Sequence, residues 1–237
     1  MQPAPAHVAG TSEKNRKRSD CPARVSSGAE LNKLHTVNPP PDVGDAYGTS
    51  VALGGTRIAV GAPGSASDTG SIYLYDTENL NWSRFRSATD SESEPGDKEG
   101  SSLAVSTTSV IGGAPGRPGG DDTGAVFIFS PDGFGVSPAA LITAPGGETG
   151  DHFGDSVTCA SAGWPMLVGA RGYEDDEGAV YIYAGPDDAA PVVVQPPDSS
   201  VDHVEFGYSV AYASGKFVVG ARELGDDKIG AAFLYTL

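Results

Sequence analysis

Four stretches of this 237-residue chain are copies of one another, and that repetition limits the fold more than any other feature. They read YGTSVALGGTRIAVGAPGSASDTGSIYLYD from Tyr47, EGSSLAVSTTSVIGGAPGRPGGDDTGAVFIFS from Glu99, FGDSVTCASAGWPMLVGARGYEDDEGAVYIYA from Phe153 and FGYSVAYASGKFVVGARELGDDKIGAAFLYTL from Phe206. Their opening glycines, Gly48, Gly100, Gly154 and Gly207, are spaced 52, 54 and 53 residues apart. A second landmark is Gly61-Ala62-Pro63, Gly113-Ala114-Pro115, Gly169-Ala170-Arg171 and Gly220-Ala221-Arg222. A third is a glycine followed by alternating apolar and aromatic residues, at Gly70, Gly124, Gly178 and Gly230. Such a unit cannot bury its apolar face alone and must stack on its neighbours.

Each copy parses into four short strands. The first is the SVAL-type segment (Ser50–Leu53, Ser102–Val105, Ser156–Cys159, Ser209–Tyr212), and the second runs into GAP or GAR, as in Arg57–Val60 and Lys216–Val219. The third is the IYLY-type segment, and the fourth follows a loop, as in Ser83–Ala88, Ala139–Thr143 and Ala190–Val194. Period 2 puts Ser50 and Ala52 on one face and Val51 and Leu53 on the other. The four equivalent serines are small and fit where inner strands crowd together. Gly (33) and Pro (18) are so frequent that no stretch free of both is longer than Ser71–Glu94, which excludes a helical bundle. No apolar run reaches the ~18–20 residues of a membrane span. Four strands repeated at about 50 residues make one blade of a β-propeller. The expected fold is therefore all-β, with blades at about 47–89, 99–144, 153–195 and 206–237. Leu34 precedes Gly48 by 14 residues, as Arg86 precedes Gly100 and Val193 precedes Gly207. In that register 30–37 is a fourth strand that completes the last blade and closes a monomeric ring.

The paired signatures [FY]-G and G-A-P resemble the FG-GAP repeats of the integrin α-subunit head and of many microbial surface proteins. Tyr47-Gly48, Phe153-Gly154 and Phe206-Gly207 match the first element and Glu99-Gly100 departs from it; the two GAP copies match the second and the two GAR copies are weakened forms. The resemblance covers about Leu31 to Leu237. It implies a non-catalytic recognition or scaffold module, with adhesion to a protein or glycan ligand and an extracellular or cell-surface setting. Many relatives carry a D-x-D-x-D-G-like calcium loop between strands one and two. Here those turns are Gly54-Gly55-Thr56, Ser106-Thr107-Thr108, Ala160-Ser161-Ala162-Gly163 and Ala213-Ser214-Gly215, without a carboxylate. No cofactor is therefore required, and calcium is at most weakly bound.

Charge points to the same loops. The chain carries 31 acids against 15 Lys and Arg, a net charge of −16. Glu13 and Asp20 are the only acids before Gly28, so 29 lie in the repeat region. So acidic a body repels nucleic acid and anionic lipid, since phosphate contacts need Lys and Arg. In a propeller, the two-to-three loops and the inter-blade loops share one face, and here they hold 22 of those 29 acids. The candidate ligand-binding residues are Asp68, Asp121, Asp122, Asp175, Asp176, Asp226 and Asp227 in the first kind of loop. Asp45, Asp97 and Asp151 are the candidates in the second. Three readings of this face stand side by side: a solvated rim, a cation site at Asp121-Asp122 or Asp175-Asp176, and recognition of a polypeptide or glycan.

Residues 1–28 read as a disordered basic leader without the 7–15-residue apolar core of a secretory signal, a length typical of such segments. Cys21 and Cys159 read as free thiols. His152 and His203 follow Asp151 and Asp202, but adjacent residues of extended chain point apart. No G-x-S-x-G elbow, H-E-x-x-H pair or phosphate loop is present. A sugar-binding propeller is the alternative to a protein-binding one, and a paired-carboxylate glycoside hydrolase ranks last.

Overall fold

A computed structural model of the protein describes residues 42–77, 82–85, 93–130, 140–197, 204–224 and 229–237. The leader at 1–28, the closing strand expected at 30–37, His203, and Asp226 and Asp227 lie outside the described residues.

The described residues form four antiparallel sheets, each a meander in chain order. The first contains β1 (Val51–Gly54), β2 (Arg57–Gly61), β3 (Ile72–Asp76) and β4 (Trp82–Phe85). The second contains β5 (Ser102–Val105), β6 (Val110–Ala114), β7 (Ala125–Phe129) and β8 (Ala140–Ile142). The third contains β9 (Phe153–Cys159), β10 (Met166–Ala170), β11 (Ala179–Tyr183) and β12 (Val192–Val194). The fourth has three strands, β13 (Phe206–Ala213), β14 (Lys216–Ala221) and β15 (Ala231–Thr236). Two single helical turns, α1 (Ser65–Asp68) and α2 (Tyr173–Asp176), lie in two-to-three loops. No helix among the described residues is long and apolar enough to cross a membrane.

Strands β9 and β13 begin three residues before the expected Ser156 and Ser209. Phe153 pairs with Ala170 and Phe206 with Ala221 across a register shift. Gly154 and Gly207 sit at that shift with φ of +93° and +90°, a conformation glycine adopts without a Cβ penalty. The bulge turns each phenylalanine inward, and both rings are fully buried.

Alternation gives each sheet two different faces. In the first sheet Val51, Val60 and Tyr73 line up across the strands, as do Leu53, Ile58 and Tyr75; Ala52, Ala59 and Leu74 line up on the opposite face. That second, smaller-residued face packs on the large residues of the next sheet, Leu103, Val105, Val110, Phe127 and Phe129. The pattern recurs: Ala104, Ile111 and Ile128 meet Val157, Val168, Tyr181 and Tyr183, and Leu167 and Ile182 meet Phe217, Val219, Phe233 and Tyr235. Apolar burial of this kind contributes about 25 cal/mol per Å², so the core lies between the sheets. β1, β5, β9 and β13 lie side by side in chain order.

Hydrogen bonds repeat at each junction. Ser50, Ser102 and Ser156 donate their hydroxyls to the carbonyls of Gly100, Gly154 and Gly207 in the following sheet, at 2.6, 2.7 and 2.6 Å. The serines expected only to be small thus also tie neighbouring sheets. Parallel bridges join Gly70 to Glu99, Gly124 to Phe153 and Gly178 to Phe206. The close approach requires glycine: a Cβ on Gly113 would lie 1.9 Å from the Gly154 carbonyl oxygen, and Gly61 and Gly169 are confined in the same way.

Candidate functional site

The two-to-three loop of each sheet lies against the incoming loop of its own sheet. Gly64, Gly116 and Gly172 donate their N–H groups to the carbonyls of Asp45, Asp97 and Asp151. It also lies against the incoming loop of the next sheet, where Lys98, His152 and Glu205 donate N–H groups to the carbonyls of Asp68, Asp122 and Asp176 at 2.8, 2.7 and 2.8 Å. These acid-bearing loops therefore gather at one end of the sheets.

Three of the sequence-predicted carboxylates serve this loop framework. Asp45, Asp97 and Asp151 each accept the N–H of the residue three positions earlier, Asp42, Glu94 and Glu148, at 2.9, 3.1 and 2.9 Å. Asp97 is buried and also accepts from Gly119 N–H at 2.7 Å and from the buried Arg117 guanidinium at 3.1 Å. Arg117 in turn lies over the Phe127 ring, 5.3 Å from its centroid. Asp122 faces Lys98 at 3.6 Å and His152 Nδ1 at 3.8 Å. Burial and then Arg171 push the His152 pKa below its ordinary 6.5, so the neutral ring is favoured.

The arginines were not singled out from the sequence, although the exchange of Pro for Arg in the GAR landmark was a visible signal. Arg171 contacts Asp155 at 3.1 Å and reaches Glu205 at 3.6 Å. Arg222 grips Glu205 with both Nε and a terminal nitrogen, at 2.7 and 2.8 Å, and lies 4.6 Å from the Tyr208 ring centroid. Glu205 thus sits between the third and fourth sheets, held by an arginine from each.

Asp151, Asp175 and Asp176 come together. They line an open cleft of 870 Å³ between 146–151 and 172–177 of the third sheet's loops, with Glu148, Glu174 and Glu177 and no Lys or Arg. Burial foremost raises the Asp151 pKa, and the Glu148 and Glu174 carboxylates push the same way; the Glu148 N–H and His152 oppose them. Tyr173, also in the cleft wall, rests edge-on against Tyr181 with centroids 6.2 Å apart, and Gln195 donates to Glu174 at 3.0 Å. Asp68, Asp121 and Asp122 lie in the loops of other sheets and do not line this cleft.

The backbone beneath the cleft is not special to it. Glu174, Asp175 and Asp176 have left-handed φ of 50°, 57° and 68°. Ala66, Ser67 and Asp68 take the same turn in the first sheet with φ of 53°, 61° and 63°. Left-handed L-residues cost roughly 1–2 kcal/mol each. In both sheets the turn delivers the last aspartate's carbonyl to the next sheet. The framework is shared, and only the side chains differ. Such a cleft attracts cationic groups and replaces their water with carboxylate oxygens. Among the described residues no three His, Cys, Asp or Glu side chains converge to hold a metal ion.

A family model for the FG-GAP repeat matches residues 41–75 and 136–183, which take in β1 to β3 of the first sheet and β8 to β11 around the cleft. With the repeated Gly-Ala landmarks in the same sheets, these two stretches are FG-GAP repeats.

Proposed function

We propose that this chain is a non-catalytic recognition module, its sheets the blades of a β-propeller, and that its acidic loop end binds a protein partner through a Lys- or Arg-rich segment. By its FG-GAP repeats it works outside the cell or at a cell surface. What supports the propeller is the chain-order succession of inner strands and the same junction made three times. One comparison carries the binding reading. The left-handed turn that holds Ala66-Ser67-Asp68 in the first sheet holds Glu174-Asp175-Asp176 in the third, where an open cleft adjoins it. The backbone does not demand carboxylates there. Asp151, Asp175 and Asp176 are the ligand-contacting residues.

The test is a titration of the purified full chain with an Arg-rich peptide and with a neutral peptide of equal length. The cationic peptide is expected to bind saturably, more weakly as salt shortens the Debye length from about 30 Å at 0.01 M to about 10 Å at 0.1 M. A triple variant, Glu174→Gln, Asp175→Asn and Asp176→Asn, is expected to lose most of that binding with its circular dichroism unchanged. Equal binding of both peptides, or of wild type and variant, overturns the reading. Saturable binding of uncharged glycans by wild type but not variant would replace the protein partner with a sugar.

A further inference from the structure

The residue just before each repeat's opening pair holds a fixed place on the backbone. Ala46, Lys98, His152 and Glu205 all take a left-handed φ, of 54°, 58°, 55° and 51°. The last three donate their N–H groups to the two-to-three loop of the preceding sheet. A neutral, a cationic and an anionic side chain are all accepted there, so the turn does not call for an imidazole. The third sheet fills the place with the one side chain of the four that changes charge near neutral pH, and its loops carry the acidic cleft.

His152 stands directly behind the cleft wall. Asp151 and Gly172 line the cleft, and a Cβ on Gly172 would meet the imidazole Cδ2 at 3.3 Å. Gly172 opens the turn that carries Glu174, Asp175 and Asp176. The ring is 19% exposed, enough for water to reach it. Charged groups face it from both sides of the junction: Asp122 and Lys98 from the second sheet's loops, Arg171 and Asp155 from its own sheet. Asp122 Oδ1 is buried and takes no hydrogen bond among the described residues. Lys98 Nζ stands 3.6 Å from it and His152 Nδ1 3.8 Å, both beyond hydrogen-bond reach. That oxygen is ready to accept from a protonated ring, whose two nitrogens both donate. Burial first, then Arg171, and Lys98 least, keep the ring neutral near pH 7 against the pull of Asp122 and Asp155.

We propose that His152 is a proton switch for the acidic cleft, an inference that rests on that cleft being a site for cationic segments. A proton on the ring and a Lys or Arg in the cleft oppose each other, so mild acid releases the partner. The proton draws the ring toward Asp122 and sets a positive charge beside Asp151, where it cancels part of the field that attracts a cation. By linkage, a bound cationic segment weakens the hold of His152 on its proton by the same factor.

The test is a titration of the full chain with a His-free, Arg-rich peptide at constant ionic strength, from pH 7.5 to pH 5.5. Wild-type affinity is expected to fall about fivefold, the low end of ordinary coupling between sites. His152→Asn should lose most of that fall while binding as wild type does at pH 7.5. His152→Lys, a side chain that the same turn holds at Lys98, should bind about fivefold more weakly at both pH values. Circular dichroism of both variants should match wild type. Proton NMR of the His152 ring should show its titration midpoint moving to lower pH when peptide saturates the chain. A parallel fall in wild type and His152→Asn overturns the switch, since carboxylates alone would then govern release. So does full-strength binding by His152→Lys, or a His152 midpoint that ignores the peptide. Absence of binding by every form at every pH overturns the reading of the cleft itself, and the switch with it.

Discussion

Phe206 and Tyr47 hold the same place in the repeat, one at a junction and one at an end. Phe206 lies against its own sheet, with ring centroids 5.6 Å from Phe233 and 6.3 Å from Tyr235, and the third sheet covers it completely. Tyr47 makes the same contact with its own sheet: its ring meets Tyr73 edge-on at 5.3 Å, and its hydroxyl bonds that of Tyr75 at 2.6 Å. It remains half-buried, and among the described residues no sheet precedes it. The difference separates what one repeat supplies for itself from what it borrows from a neighbour. At this one position the neighbouring sheet completes the burial, whereas Tyr73 and Tyr75 within the first sheet are 2% and 1% exposed.

The largest effect should come from the rings themselves. Phe206→Ala is expected to cost about 3–5 kcal/mol in urea unfolding, the usual range for a fully buried aromatic. Tyr47→Ala, which loses an edge-on ring contact and one hydrogen bond, should cost about 1–2 kcal/mol. Equal losses would break the comparison. Next are the close-approach glycines. Gly169→Ala must push back the Gly207 carbonyl, 2.1 Å from the new Cβ, and overpacking of this kind costs roughly 1–3 kcal/mol. Gly220→Ala meets no carbonyl of a neighbouring sheet and only the rotatable Ser209 hydroxyl, 2.3 Å from the new Cβ, so it should cost less, under about 1 kcal/mol. Smaller still, Ser156→Ala should cost about 1 kcal/mol by taking the hydroxyl from Gly207, and Ser209→Ala almost nothing in dilute solution.

The smallest effect is a matter of pH. His152 has a folded pKa below its unfolded 6.5, so near and below 6.5 the unfolded chain binds the extra proton. Its contribution is fully present above 6.5 and is lost as the pH falls through the folded value. The melting temperature should drop modestly on acidification from pH 7, and His152→Asn, a residue that tolerates the left-handed φ of 55°, should flatten that slope. An unchanged slope would mean that the carboxylates alone govern acid behaviour.

Much of the architecture was legible because it is written four times. The two faces of β1 followed from period 2, and the crowding of the inner strands from the four small serines. The start of β9 and β13 was not legible, since a bulge at Gly154 or Gly207 hides in a sequence that equally fits a turn. Of the candidate site, Asp151, Asp175 and Asp176 line one cleft, whereas Asp68, Asp121 and Asp122 do not. The framework role of Asp45, Asp97 and Asp151 went unread, though an acid or Asp three positions before each, at Asp42, Glu94 and Glu148, was a repeated sign of it. Side-chain charge is visible in a sequence, whereas the backbone N–H that occupies a carboxylate is visible only once the loop has folded.

The serine–glycine tie has a consequence for how such a chain changes over generations. Because Ser50, Ser102 and Ser156 meet Gly100, Gly154 and Gly207 in the same way, a whole unit can be duplicated or deleted and the units on either side still recognise each other. Selection on assembly then acts on a few small residues common to all units. The loop side chains above them are left free to diverge one unit at a time, as the exchange of Ala66-Ser67 for Glu174-Asp175 on a single backbone turn records.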